Sequence, residues 1–148
     1  MGRIYVATME SISVSAAKSI IEFTASSTAI VQLLEAWITQ DASETSTQEV
    51  AQILRKSAAG TGTAFTARPL EILDPAFAGT VRTNMTAEGT AGNIMRHEGF
   101  NILNGWLYVP IPENRIIVPP SGILALKLPN TPAAAITVSA GMIFEEIG

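Results

Sequence analysis

The stretch NGWLYVPIPENRIIVPPSG, residues 104–122, constrains the fold more than any other. It carries four prolines and only two charged residues, Glu113 and Arg115. Proline has no N–H to give to a central ladder, so Pro110, Pro112, Pro119 and Pro120 bound strands rather than fill them. Pro119, Pro120, Ser121 and Gly122 read together as a turn. The same punctuation recurs along the chain, with Gly and Pro separating apolar runs of strand length. This spacing predicts an all-β fold, a two-sheet antiparallel β-sandwich, in one domain over residues 1–148.

Several segments fit individual strands. RIYVATMESISVS alternates, with Ile4, Val6, Ile12 and Val14 on one face and Tyr5, Ala7 and Met9 on the other. SIIEF (19–23) is a second short run. Residues 29–58 are ambiguous, because AIVQLLEAWIT and EVAQILRKSA also fit helices. The β-branched and aromatic residues around the first, and the alternation of Val50, Gln52, Leu54 against Ala51, Ile53, Arg55, favour strands. Polar residues 40–48 form a loop. Residues 59–92, rich in Gly, Thr and Ala, suit a long connection of the kind that crosses between sheets in Greek-key folds. NIMRHEGF, LNGWLYV, GILALKL and AAITVSAGMIFEEI complete the strands, and LPNTPAA is expected to join the last two as an antiparallel hairpin.

Hydrophobic residues make up 47% of the 148 and charged residues only 15%, against about a quarter in an average soluble domain. A surface so poor in charge suggests that part of it meets a partner, since interface cores are depleted in Lys, Glu and Asp. The net charge of −4 is spread evenly and the only adjacent basic pair is Arg55–Lys56, which argues against nucleic-acid binding. The longest uncharged run, 128–144, contains prolines and hydroxyl residues and is too polar to span a bilayer. The N-terminus lacks the apolar core of a signal peptide.

Reactive constellations are scarce. There is no cysteine, hence no disulfide and no thiolate metal site. His97 is the single histidine, and one imidazole cannot make a metal cluster. No Ser lies in a G-x-S-x-G elbow, so a catalytic triad has no nucleophile. GTGTAF (60–65) lacks the third glycine and the lysine of a phosphate-binding loop and reads as a flexible loop. Asn84 begins an N-M-T sequon, which matters only in a secreted chain. Glu145 and Glu146 are adjacent on a strand and point to opposite faces, so they cannot form an acid–base pair. Trp37 and Trp106 fit packing better than sugar stacking, and Arg115 fits a solvated turn. No enzymatic activity, cofactor or metal is expected.

The opening GRIYVATMESISVSAAKSIIEF, the FN…GW…P.PE.R..VPPSG.LALKLP pattern over 100–129 and the ending TVSAGMIFEEIG together resemble a family of tailed-bacteriophage structural proteins, the head decoration (cement) proteins. The likeness spans nearly the whole chain, least clearly over 45–92. It implies a jelly-roll-like sandwich on the capsid exterior, made in the host cytoplasm, that binds the major capsid protein and stabilises the shell. It carries over no catalytic residues. Decoration proteins sit on symmetry axes, so a homo-oligomer is expected, a trimer rather than a dimer. A tail- or fibre-associated adhesin binding a host glycan is the alternative, and it requires displayed aromatics such as Trp37, Trp106 and Tyr108. The alternating N-terminal strand suggests the attachment surface: Tyr5 and Met9, pointing outward from an edge, would be covered by a neighbouring subunit.

Overall fold

The computed structural model describes residues 2–42 and 45–148. The strands are β1 (Arg3–Val14), β2 (Lys18–Thr24), β3 (Ile30–Gln40), β4 (Gln48–Ala58), β5 (Thr61–Phe65), β6 (Arg68–Pro69), β7 (Thr80–Ala87), β8 (Thr90–Asn101), β9 (Trp106–Tyr108), β10 (Ile117–Val118), β11 (Ile123–Leu128) and β12 (Ile136–Ile147). The only helical piece among the described residues is one 3₁₀ turn, Pro112–Asn114. Both ambiguous segments within 29–58 are therefore strands, and the loop between them contains Ser43 and Glu44, which lie outside the described residues. All four prolines of 104–122 fall outside strands. Pro119 accepts a hydrogen bond from the Gly122 N–H at 2.8 Å, closing the expected turn.

Two antiparallel sheets pack face to face. One runs β10-β3-β12-β1-β6, with β9 also on β3, and the other runs β5-β7-β2-β11-β4-β8. If β5, β6 and β7 are set aside, the sheets read β1-β12-β3-β9/β10 and β2-β11-β4-β8. That is the strand order of a jelly roll, in which nearly every connection crosses from one sheet to the other. The three remaining strands form an insertion between β4 and β8. In it, β7 and β5 extend the second sheet beyond β2, and β6 pairs with β1.

This arrangement corrects three expectations. Residues 59–92 are not a sheet-to-sheet crossing, because β4 and β8 are neighbours in one sheet and the connection carries strands of its own. Within it, 61–65 is strand β5 and not a loop. The last two strands form no hairpin, since β11 pairs with β2 and β4 while β12 pairs with β1 and β3. The seven residues between them must span the roughly 10 Å that separates packed sheets, which a tight turn cannot do.

A fourth correction concerns β1. Tyr5, Ala7 and Met9 face the core, at 0%, 0% and 3% exposure, while Ile4 and Val6 lie half-buried on the other face. Further along, Val14 is buried and Ile12 packs against the core. The inward phase flips between Met9 and Ile12, where the register with β12 shifts. Ser11 sits at this bulge with φ +51°, in the left-handed region. Its N–H donates to Ser139 Oγ at 3.0 Å, and the hydroxyls of Ser11 and Ser139 both donate to Asp41 Oδ2. A strict two-residue period extended from Ile12 and Val14 back to Ile4 misses the flip. At its start β1 is not an edge, since the two-residue β6 pairs with Tyr5 and Val6 on the side away from β12.

Tyr5 anchors the core at the insertion end. Its ring lies 5.4 Å from Phe77 and 6.2 Å from Phe144, Phe144 stacks on Phe23 at 4.8 Å, and its hydroxyl donates to Pro75 O at 3.0 Å. Tyr5→Phe loses one buried hydrogen bond and should cost about 1 kcal/mol. Tyr5→Ala opens a cavity and should cost about 3–5 kcal/mol. Denaturant unfolding measures both; equal small losses would show that Tyr5 is not in the core.

Candidate functional site

The two sides of the sandwich differ. On one, the insertion covers the edges of β1 and β2. On the other, β8 ends its sheet and the short β9 and β10 end theirs. Between these ends lies an open cleft of about 580 Å³, lined in part by Met95, Arg96, Leu107, Tyr108, Ile111 and Asn114. Pro110 and Pro112 cannot continue a ladder, so the chain from Val109 to Arg115 leaves β3 and forms one wall, and Ile116 rejoins it by accepting from the Leu33 N–H at 2.9 Å.

Inside the mouth, Arg96 and Glu98 come from the inner face of β8, opposite Ile53 and Ala51 of β4. They meet Trp106 and Tyr108 from β9. The Trp106 Nε1–H donates to Glu98 Oε2 at 2.8 Å, and Arg96 donates to Glu98 Oε1. The Arg96 guanidinium lies 5.2 Å from the Tyr108 ring centroid, and the Trp106 and Tyr108 rings are nearly parallel, 7° apart in plane. This gives an ion pair braced by two aromatics, a cation–π contact among them. Burial raises the Tyr108 hydroxyl pKa above its ordinary value, against a lowering by Arg96 and with a further rise from Glu98. Arg55 Nη2 donates to Ile117 O at 2.9 Å, tying β4 to β10 across the same side. The rim is apolar: Leu107, Val109 and Ile111 are each about 60% exposed.

Of the residues singled out in the sequence, Trp106 and Tyr108 come together and the others do not join them. His97 is exposed on the outer face of β8, with Nδ1 3.1 Å from Gln52 Nε2. Trp106 and Tyr108 are buried, while Trp37 lies half-buried on the outer face of the other sheet. The Trp37 ring covers Gly141, where an added Cβ would fall 2.0 Å from Cζ2. Arg115 is half-buried and its Nε has no hydrogen-bond partner. Glu145 is half-buried while Glu146 turns inward and is buried, on opposite faces as expected. Asn84 sits in β7 and accepts from Lys18 Nζ at 3.0 Å. Tyr5 and Met9, expected at a contact surface, face the core. Among the described residues no group of three His, Cys, Asp or Glu is placed to hold a metal. Arg96, which lines the cleft, and its ion-pair partner Glu98 carry no motif; only their two-residue spacing on a strand hinted that they share a face.

A second charged cluster lies on the outer face of the β2–β11–β4 sheet. Lys56 Nζ is 2.8 Å from Glu22 Oε2 and 2.9 Å from Glu88 Oε2, and the Lys56 and Glu22 side chains are essentially inaccessible. The Gly60 N–H donates to Glu22 Oε1 at 3.1 Å, and the Ser19 hydroxyl donates to Glu88 Oε2 at 2.7 Å. The β4–β5 and β7–β8 turns close over this cluster. Gly89 permits the closure, because a Cβ there would lie 1.9 Å from Ala58 O. Burial pushes the Glu88 pKa up, but hydrogen bonds from Ser19 and Lys56 outweigh it and the net shift is downward from 4.5. With Lys56 and Glu22 inaccessible, the cluster reads as a structural clamp.

Comparison with protein-family models, with curated proteins and with solved structures finds no match to this chain.

Lys56→Met strands the buried Glu22 carboxylate and should cost about 3–5 kcal/mol in denaturant unfolding, with Glu22→Leu in the same chain restoring part of the loss. The depressed Glu88 pKa means that its contribution is present above pH 4.5 and fades as pH falls through its lower folded value. Acid titration of stability should therefore be shallower below pH 4.5 in Glu88→Gln than in the native chain. At the other extreme, desolvation also raises the Tyr5 pKa, so both tyrosines of the chain should ionise above 10.0 in absorbance titration. Tyrosines titrating at the ordinary value would contradict the buried placement.

Proposed function

We propose that the chain is a virion structural protein, a tailed-phage head decoration protein that binds the major capsid protein and stabilises the shell from outside. The observation that carries this reading is the apolar rim of the open side. Met95, Leu107, Val109 and Ile111 are exposed together around one cleft, beside a strand whose first eight residues are exposed on both faces. Clustered apolar exposure of this kind marks a protein-binding surface more often than an idle one. The sequence likeness described above supplies the capsid as partner. The role is structural and calls for no enzymatic activity or cofactor.

Mechanically, a bound copy bridges neighbouring capsid subunits that packaged DNA pushes apart. Each copy contributes a few kcal/mol over an interface of about 1,200–2,000 Å². Engagement of several capsid subunits by one oligomer multiplies the effect. The glycan-adhesin alternative is less well supported, because of the three aromatics it calls on, Trp106 and Tyr108 turn inward and only Trp37, half-buried on an outer face, has ring surface to offer a sugar.

Co-sedimentation with shells assembled from the major capsid protein tests the proposal. Leu107→Lys with Val109→Lys should weaken binding by about 30- to 1,000-fold, since the two desolvated apolar contacts are together worth about 2–4 kcal/mol, while leaving the thermal midpoint near that of the native chain. Failure of the native chain to bind shells, or unchanged affinity in the double variant, would sink it.

A further inference from the structure

We propose that β8 is a self-complementary edge through which two copies of this chain pair antiparallel about a two-fold axis at His97. This inference does not depend on the capsid reading. β8 terminates its sheet, and no strand among the described residues covers its outer edge. Such an edge presents unpaired N–H and C=O groups and invites another strand. The charge pattern selects which strand. In an antiparallel pair about a two-fold, facing residues have numbers that add to a constant. With His97 opposite His97 of a second copy, Arg96 faces Glu98 of that copy and Glu98 faces its Arg96, giving four alternating charges on one face.

Neighbouring registers that keep the two inner faces on the same side are disfavoured. A slip one way sets Arg96 against Arg96, and a slip the other way sets Glu98 against Glu98. The edge thus attracts a second copy in one register and repels it in the adjacent ones. Arg96 is held in place beforehand by Glu98 and the Tyr108 ring, while its side chain is still 45% exposed and can take a second carboxylate. Pairing would join the two six-stranded sheets into one continuous sheet and bring the apolar rims of both clefts together at the axis. The order is two-fold, in place of the three-fold order expected from lattice positions.

Light scattering coupled to size exclusion reads the mass without any capsid. The native chain should run at about 31 kDa, twice 15.6 kDa. Arg96→Glu makes the patch all acidic and Glu98→Arg makes it all basic, so each variant alone should associate at least about 100-fold more weakly. An equimolar mixture of the two should recover the dimer, because every facing pair is again opposite in sign. Recovery on mixing separates lost pairing from lost folding. The chain has no cysteine, so His97→Cys supplies the only thiol. Facing Cα atoms about 4.5–5.5 Å apart suit a disulfide, and mild oxidation should trap a covalent dimer. Ile94→Cys, three residues from the axis and beyond the register shift that separates it from Arg96, should not be trapped, because its symmetry mate would lie about 20 Å away. A native monomer or trimer, dimers that persist in both charge variants, a mixture that fails to pair, or no crosslink through position 97 overturns the proposal.

Discussion

The closure of one sheet over the other governs everything else in this molecule. The inner faces of β1, β3 and β12 meet those of β2, β4 and β11 across an apolar interior that holds Tyr5, Ile21, Phe23, Leu33, Ile53, Leu124, Leu126 and Phe144. Each large apolar side chain removed from water contributes about 1.5–3 kcal/mol, and no single sheet could bury them. The pairing of β1 with β12 sets the two ends of the chain side by side in the middle of one sheet. The core therefore forms only when the most distant parts of the sequence have met.

Sidedness follows from the insertion. By adding β5 and β7 beyond β2 and laying β6 on β1, it extends the sandwich on one flank only. A buried clamp of Lys56 with Glu22 and Glu88 ties the turns at its two ends to the outer sheet face. The opposite flank keeps free edges and a cleft. The polar groups there are paired with one another, Arg96 to Glu98 and Glu98 to Trp106, and the rim around them is apolar. A flank that is apolar at its rim and internally compensated in charge suits protein contact better than capture of a small charged ligand.

Fold class was legible because it rests on local chemistry. Prolines that cannot join ladders and β-branched runs of strand length need no partner to be recognised. The faces of β1 were not legible, because the Ser11 bulge flips the inward phase, and what holds that bulge, Asp41 and Ser139, lies 30 and 128 residues away. Strand pairing was misread at 129–135 for a related reason: a turn signal says that the chain bends, not whether it returns to the same sheet.

By itself, then, the sequence determined an all-β fold, the strand positions outside residues 59–92, its proline-bounded turns and its scarcity of reactive groups, since each depends on residue type and near neighbours. Only the tertiary structure decided which strands are neighbours, which face of β1 is inside, and that Arg96, Glu98, Trp106 and Tyr108 meet at one cleft. Those outcomes depend on register and sheet crossing, which are settled by packing between segments far apart in the chain.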